Sequence, residues 1–145
     1  MSDKNAEAKL QALWQRGCDF LGSRVAILGG AMSWVSDRNL VSAISNAGGF
    51  GVIACGAMTP ELLAVEIAET QARTDKPFGV NLITMHPDLE LLIDVCIMAE
   101  VTHVVLAGGV PSAGSIAKIK EAGIKTICFA PALALAKRMI RNGAD

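Results

Sequence analysis

The sequence lacks an excess of charge of either sign, and it contains no run of basic residues. Its 13 lysines and arginines are balanced by 14 aspartates and glutamates. Nucleic acids and anionic membrane surfaces attract proteins that carry a basic patch or a net positive charge. The composition therefore argues against both partners, and a small-molecule substrate is the partner that we expect.

Long apolar runs and closely spaced cysteines are also missing. No stretch of about 18 apolar residues runs without a charge or a turn, which argues against a membrane-spanning helix. Residues 1–9 mix charges and lack the apolar centre of a secretory signal. The four cysteines, at positions 18, 55, 96 and 128, form no C-x-x-C pair, so we assign no metal ligands and no dithiol redox site. These absences favour a soluble, cytoplasmic protein with reduced cysteines.

What the chain does contain is a repeat of one strand and one helix. With 52% apolar residues in 145, it can form a sizeable core in one compact unit. Apolar runs recur at intervals of roughly 22 to 28 residues, the length of one strand, one helix and two loops. Because these runs are nearly continuous, they predict strands buried on both faces, as in a parallel sheet. The predicted strands are Val25–Leu28, Phe50–Ala54, Phe78–Asn81, His103–Ala107 and Lys125–Phe129.

Capping residues mark the helices between these strands. We predict Ser36, Thr59 and Ser112 as N-cap residues, because their hydroxyl groups can accept from the first free backbone N–H groups of a helix. Pro60 suits the first position of the helix that follows Thr59. The pattern therefore predicts five βα units in succession, without a long linker.

A further helix is predicted before the first strand, over Ala6–Arg16. Gly17 is expected to end it. The apolar spacing of three and four residues predicts that one face of this helix packs on the rest of the fold. That face would consist of Leu10, Leu13 and Trp14.

Two architectures are compatible with five βα units. A doubly wound parallel sheet is complete with five strands, whereas a (β/α)₈ barrel needs eight strands and about 250 residues. Length favours the doubly wound sheet. The final residues, Gly143–Asp145, are typical of the approach to a sixth strand, and this favours the first five βα units of a TIM barrel, with the chain truncated before strand six.

Four segments carry a more specific signal. They read GGAMSWVSD at 29–37, LVSAISNAGGFGVI at 40–53, MTPE at 58–61 and KPFGVNL at 76–82. In combination they resemble the nitronate monooxygenase family, formerly called the 2-nitropropane dioxygenases. The chain is also similar to the related FMN-dependent enoyl-acyl-carrier-protein reductases, notably at residues 134–139, ALAKRM. The resemblance extends from residue 25 to residue 145.

The resemblance implies an FMN-dependent oxidoreductase with a TIM barrel fold. The activity implied first is that of a nitronate monooxygenase, which uses molecular oxygen to convert an alkyl nitronate to a carbonyl compound and nitrite. An FMN-dependent enoyl-acyl-carrier-protein reductase is the alternative among enzymes. A third interpretation, from another class, is a non-catalytic half-barrel module for binding or assembly. Such a module would have to cover its two open sheet edges, for instance as a homo-oligomer.

The resemblance also implies which residues contact the flavin. The loop after the first strand would lie against it, the Asn that ends the third strand would bond the isoalloxazine, and the end of the fourth strand takes the equivalent position. A side-chain amide can donate and accept at once, as the edge of the flavin pyrimidine requires. Capping of a strand end is the alternative role for this Asn. The cofactor-binding residues predicted in this way are Gly29, Gly30, Ala31, Met32, Asn81 and Ala107.

Two further features of these loops have alternative interpretations. Met32 and Trp34 either cover the core or line a substrate pocket at the barrel mouth and exclude water from it. Gly108 and Gly109 either bring backbone close to the flavin or only make a turn.

No catalytic residue is predicted within these 145 residues. In the family the catalytic His lies in a Gly-Gly-His segment after the sixth strand, beyond residue 145, and the phosphate is held by the loops after strands seven and eight. We interpret His103 as a hydrogen-bonded residue at the base of the barrel, His86 as a helix-capping residue and Cys55 as a structural thiol. Residues 1–145 are therefore expected to be the amino-terminal portion of a single FMN-binding domain, inactive when isolated.

Overall fold

The computed structural model describes residues 2–145, and the side chains of residues 5–145. Five strands alternate with six helices in this part of the chain, and none of these helices is long and apolar enough to cross a membrane. The helices are α1 (Ser2–Leu21), α2 (Arg38–Asn46), α3 (Pro60–Gln71), α4 (Leu89–Met98), α5 (Ala113–Glu121) and α6 (Leu133–Arg141). The strands are β1 (Leu28–Gly29), β2 (Phe50–Ala54), β3 (Phe78–Ile83), β4 (His103–Ala107) and β5 (Lys125–Cys128).

The order of the strands distinguishes the two candidate architectures. All neighbouring strands pair in parallel, and the order in the sheet is β1-β2-β3-β4-β5. A doubly wound sheet reverses its order at a switch point, whereas a barrel adds each strand beside the previous one. The fold is therefore a partial TIM barrel, as we predicted, and the doubly wound alternative is wrong.

The predicted strands differ from the observed ones mainly at their ends. β2 and β4 have the predicted bounds, β3 runs two residues further, to Ile83, and β5 ends one residue earlier, at Cys128. β1 is reduced to Leu28–Gly29 because the N–H of Ile27 donates to Val25 O in its own segment, at 2.9 Å, instead of to a neighbouring strand. The carbonyl of Ile27 still accepts from Phe50 N at 2.9 Å, so the residues just before β1 remain hydrogen-bonded to β2.

The predicted N-caps are correct at Thr59 and Ser112, each of which accepts a backbone N–H from its helix. At α2 the prediction of Ser36 is wrong. The N-cap is Asp37, whose Oδ1 accepts from Leu40 N at 3.1 Å, and this backbone donor holds the pKa of Asp37 below its usual value. Ser36 uses its hydroxyl inside the preceding loop instead.

The first helix is longer than predicted and packs through other residues. Gly17 does not end it; a Cβ at Gly17 would lie 2.7 Å from Ala26 Cβ, so this glycine permits close packing inside the helix. The helix ends before Gly22, which has φ of +68°. Leu10 and Leu13, predicted to pack, are 49% and 82% exposed. The part of α1 that packs is its carboxyl end.

The sheet separates two apolar clusters. The outer face of β2, β3 and β4 packs under the helices through Ile53, Val80, Leu82, Val104 and Leu106, all fully buried. The inner face forms a smaller cluster with the end of α1, and its members are Leu21, Phe50, Val52 and Val105, with Phe20, Ala31 and Ile127 against them. This inner face corresponds to the interior of a barrel, which side chains fill in layers.

The end of α1 closes the base of this interior. The carbonyl of Phe20 accepts from His103 Nε2 at 2.9 Å and from Lys125 Nζ. The Phe20 ring stands edge-on to the His103 ring, with centroids 5.3 Å apart. Burial lowers the pKa of His103, so the ring is neutral at neutral pH. The interpretation of His103 as a hydrogen-bonded residue at the barrel base is therefore confirmed.

Candidate functional site

At the carboxyl ends of the strands, the inner face of the sheet opens into a hollow. All five βα units contribute to it, with Leu28, Ala54, Asn81 and Ala107 from β1 to β4 and Phe129 directly after β5. Ligand sites of TIM barrels lie at this end, because the βα loops meet there. We call it the inner hollow, and its remaining lining consists of Gly30, Ala31, Ser33, Val52, Gly56, Ile83 and Val105.

Asn81 is the amide side chain in this otherwise mostly apolar lining. It lies in register with Ala54 on one side and Val105 on the other, and the residue is only 8% exposed. Its backbone carbonyl accepts from Cys55 N at 3.2 Å, whereas its side-chain amide forms no hydrogen bond within residues 5–145 and is not among the fully buried, unpaired polar groups there. The amide is therefore available to a ligand and does not act as a cap.

The two glycines after β1 have different roles. A Cβ added to Gly30 would meet no atom within 4 Å, and Gly30 lines the inner hollow, so a side chain there would take up ligand space. A Cβ on Gly29 would clash with Ile44 Cδ1 of α2. Gly29 thus allows α2 to approach β1, and it does not line the hollow.

Met32 lies outside the inner hollow and is 51% exposed. Its N–H donates to Ser36 Oγ at 3.0 Å, and the Ser36 hydroxyl donates in turn to Gly30 O at 3.1 Å. This pair of bonds holds the loop closed and explains why Ser36 is not the helix cap. Of the six residues predicted to contact a flavin, the structure brings four together, Gly30, Ala31, Asn81 and Ala107, and leaves Gly29 and Met32 outside.

The sequence analysis missed part of the lining. Phe129 extends from the end of β5 over the inner hollow and is 64% exposed. Ser33 and Gly56 come from the loops after β1 and β2, and their lining role has no separate signal in the sequence. Phe129 could have been found, because it ends the fifth predicted strand at the position equivalent to Ala107.

The paired glycines after β4 serve mainly to make a turn. Gly108 has φ of +80°, and a Cβ there would lie 2.8 Å from Ile83 Cγ2. A Cβ on Gly109 would lie 2.7 Å from Thr84 Oγ1. Both positions therefore require glycine for the contact between the loops after β3 and β4, and neither glycine lines the inner hollow.

The remaining polar candidates near this end have structural roles. The Nδ1 atom of His86 accepts from Asp88 N at 3.1 Å, just before α4. His86 thus holds the backbone at the entrance to this helix, but the N-cap residue is Asp88 and not His86. Cys55 is 1% exposed, and burial raises the pKa of its thiol to about 11. It is a structural thiol, as predicted, because thiolate chemistry requires a lowered pKa and access.

The buried thiols predict a loss of stability in mild alkali. Burial raises the pKa of Cys55 to about 11 and, together with the charge of Cys55, that of Cys96 to about 12, from the usual 9.0. Above pH 9 the unfolded chain therefore releases protons that the folded chain retains. We expect the free energy of unfolding, measured in urea, to fall between pH 9 and about 11 by up to about 1.4 kcal/mol per pH unit for each thiol. Cys55→Ala should make this decline shallower, and an unchanged slope would contradict the assignment.

The arrangement of βα loops around an apolar hollow with one free amide can be compared with known proteins. The sequence profile of the nitronate monooxygenase family matches residues 16–91, which is more than half of the chain. The chain belongs to the nitronate monooxygenase family. The matched range includes β1 to β3, and with them Gly30 in the loop after β1 and Asn81 within β3.

The proteins that are similar to this chain include enzymes with names other than nitronate monooxygenase. The chain is 35% identical over 127 residues to (3aS,4S,5R,7aS)-5-hydroxy-7a-methyl-1-oxo-octahydro-1H-indene-4-carboxyl-CoA dehydrogenase of Mycobacterium tuberculosis, which covers 88% of this chain and 36% of that protein. It is 40% identical over 67 residues to nitronate monooxygenase of Paraburkholderia phytofirmans, covering 46% of this chain and 18% of that one. The structure of FabK from Thermotoga maritima superimposes with a TM-score of 0.86 and 41% identity over 90% of this chain and 42% of that chain. The chain thus spans about a third or less of the curated relatives that it matches.

Proposed function

We propose that this chain forms the flavin-binding wall of an FMN-dependent oxidoreductase of the nitronate monooxygenase type. The observation that carries the proposal is Asn81, a largely buried residue that lines the inner hollow and whose side-chain amide forms no hydrogen bond within residues 5–145. Membership of the nitronate monooxygenase family supports the same reaction class. The cytoplasmic location is also part of the proposal, and four free cysteines are consistent with it.

The residues present fit a flat, aromatic cofactor with a polar edge. Asn81 would donate to and accept from that edge, Gly30 and Ala31 would leave room for the ring face, and Ala107 and Phe129 would exclude water. When bound, the flavin supplies the electron transfer, and with it the reaction with molecular oxygen. The protein residues hold and orient the ring and keep the site dry.

The proton-transfer group and the phosphate anchor belong, in this proposal, to the part of the protein after residue 145. Within the described side chains, neither His86 nor His103 lines the inner hollow. Residues 1–145 are thus proposed to be the first portion of one barrel domain. We expect the isolated segment to be colourless and inactive, because the phosphate contacts of FMN are charge-assisted bonds worth about 1.5–3 kcal/mol each.

A second candidate function is reduction of an enoyl thioester. It is favoured by the structural matches, since FabK of T. maritima, an enoyl-acyl-carrier-protein reductase, superimposes over 90% of this chain with 41% identity, whereas the nitroalkane oxidase of Streptomyces ansochromogenes does so over 88% with 25% identity. Both candidates use the same flavin wall. They differ in the electron donor and in the size of the substrate.

The full-length protein should separate these candidates in one experiment. We expect a yellow protein that releases nitrite from an alkyl nitronate in air. Oxidation of a nicotinamide donor that depends on an enoyl thioester, without nitrite release, would favour the second candidate. A full-length protein that binds no FMN would overturn both and favour a non-catalytic module.

A further inference from the structure

A second hollow lies beside the inner hollow, between the loop after β1 and the start of α3. Two residues, Ser33 and Ala54, line both hollows, so the two hollows are adjacent and share this part of their walls. We call the second one the outer hollow, and its apolar lining consists of Trp34, Val35, Ala57, Met58 and Leu62. A ligand that reaches from one hollow to the other would pass Ser33 and Ala54.

The charged residues in the wall of the outer hollow are already satisfied by the protein. Glu66 accepts from the backbone N–H of Arg38 through Oε1 and from the Arg38 guanidinium through Oε2, the latter at 2.6 and 3.0 Å. Asp37 accepts from backbone donors of α2. Both carboxylates already accept hydrogen bonds from the protein, and both would disfavour an anion. The outer hollow is thus suited to an uncharged, apolar occupant.

The size of the outer hollow limits that occupant. Its volume is about 140 Å³. An apolar protein cavity of about 150 Å³ stays dry and binds benzene. A six-membered ring or a short branched alkyl group therefore matches the space.

Trp34 is held over this hollow in an unusual conformation. Its φ is +66°, a region that bulky residues rarely adopt, and its side chain is 87% exposed. The loop fixes it there through Ser36, whose N–H donates to Met32 O at 2.9 Å and whose hydroxyl donates to Gly30 O. Strained backbone of this kind concentrates at functional sites. An exposed indole at the edge of an apolar hollow can cover an apolar ligand and lose its own contact with water.

We propose that the outer hollow is a substrate subsite for an uncharged apolar group of about the size of a benzene ring. The reacting end of the same substrate would lie in the inner hollow, on the other side of Ser33 and Ala54. This inference rests on the proposed function, since it names the class of substrate that the flavin site would accept.

Binding of toluene to the full-length protein tests the subsite without turnover. With methionine methyl groups labelled, we expect toluene to shift the Met58 resonance, which is assigned by its loss in Met58→Leu. Ala57→Leu places a larger side chain in the outer hollow and should abolish the shift. Ala72→Leu, at the other end of α3 and also exposed, is the matched control and should leave it unchanged. Failure of toluene to shift Met58, or an equal shift in Ala57→Leu, would overturn the subsite.

Activity measurements then connect the subsite to the substrate. We compare kcat/KM for the nitronates of phenylnitromethane and nitroethane, and expect Ala57→Leu to lower the ratio of the first to the second by about tenfold. The Ala72→Leu protein should keep the wild-type ratio. An unchanged ratio in Ala57→Leu would overturn the subsite, even in an active enzyme. If the protein holds no flavin while toluene still binds in the predicted manner, the proposed function fails and the ligand class of the outer hollow stands.

Discussion

A full-length protein that carries both Asn81→Ala and Gly30→Val is expected to lose its flavin. The first change removes a buried hydrogen-bonding group, worth about 1–3 kcal/mol when it is paired with a ligand. The second places a branched side chain in space that a Cβ at Gly30 would enter without meeting any atom. Together they should weaken FMN binding by at least about a hundredfold, since 1.4 kcal/mol is a factor of ten. The ratio of absorbance at the flavin band to that at 280 nm, and titration of the apoprotein with FMN, measure this.

The same variant should remain folded, because Gly30 does not require a positive φ and its surroundings are open. A matched control combines Asn39→Ala with Gly114→Val. Asn39 is an exposed amide away from the hollow, and a Cβ on Gly114 has only an ordinary contact, 3.6 Å from Ser112 Oγ. The control should stay yellow. Full flavin content in the test variant would show that the cofactor does not lie in the inner hollow.

Glu66→Ala is expected to destabilise the fold by about 3 kcal/mol or more. The residue lies on α3 and is 4% exposed. It accepts from the first backbone N–H of α2 and from the guanidinium of Arg38, whose side chain is 28% exposed. Removing one partner of a largely buried pair leaves the other charge uncompensated, which costs about 3–5 kcal/mol. Urea unfolding of the same full-length protein, followed by circular dichroism, measures the loss.

The ion pair of Arg38 with Glu66 and the neighbouring residue Glu69 allow a sharper test of this explanation. Replacing both partners, as in Arg38→Met with Glu66→Leu, should recover most of the loss, because no uncompensated charge remains. Glu69→Ala removes the surface pair with Arg73 and a longer contact with Arg38, at 3.6 Å, and is the control. It should cost less than about 1 kcal/mol, since Glu69 is 44% exposed. Equal losses for Glu66→Ala and Glu69→Ala would show that the Arg38 pair is no more important than a surface bridge.

Most of the fold could be predicted because its signals are local. The strands β2 and β4 and the caps at Thr59 and Ser112 depend on residues within one or two turns of one another. The N-cap of α2 could not be predicted in the same way. Ser36 and Asp37 can both cap, and the choice depends on the hydrogen bonds of the Ser36 hydroxyl to the loop. Glycine often ends a helix, but Gly17 lies inside α1, where it packs closely against Ala26.

The candidate site was less accessible to prediction. Asn81 and Gly30 were found through a resemblance, and the distinction between Gly29 and Gly30 depends on Ile44, which lies in the next helix. The pair of Arg38 and Glu66 joins residues 28 positions apart, on two different helices. A sequence pattern describes which residues share a face, but it does not describe which faces meet. The outer hollow forms where the loop after β1 contacts the start of α3, and it therefore has no signature in the sequence.

The closure of the barrel base by α1 also has a consequence for synthesis on the ribosome. The carbonyl of Phe20 accepts from Lys125, which lies 105 residues later in the chain. At translation rates of about 5–20 residues per second, the end of α1 waits about 5–20 s for this partner. During that time Phe20 and Leu21 lack much of the surface that later buries them. The first helix is thus among the first segments to be made and among the last to dock, and the nascent chain has to keep its apolar end from other partners until β5 has emerged.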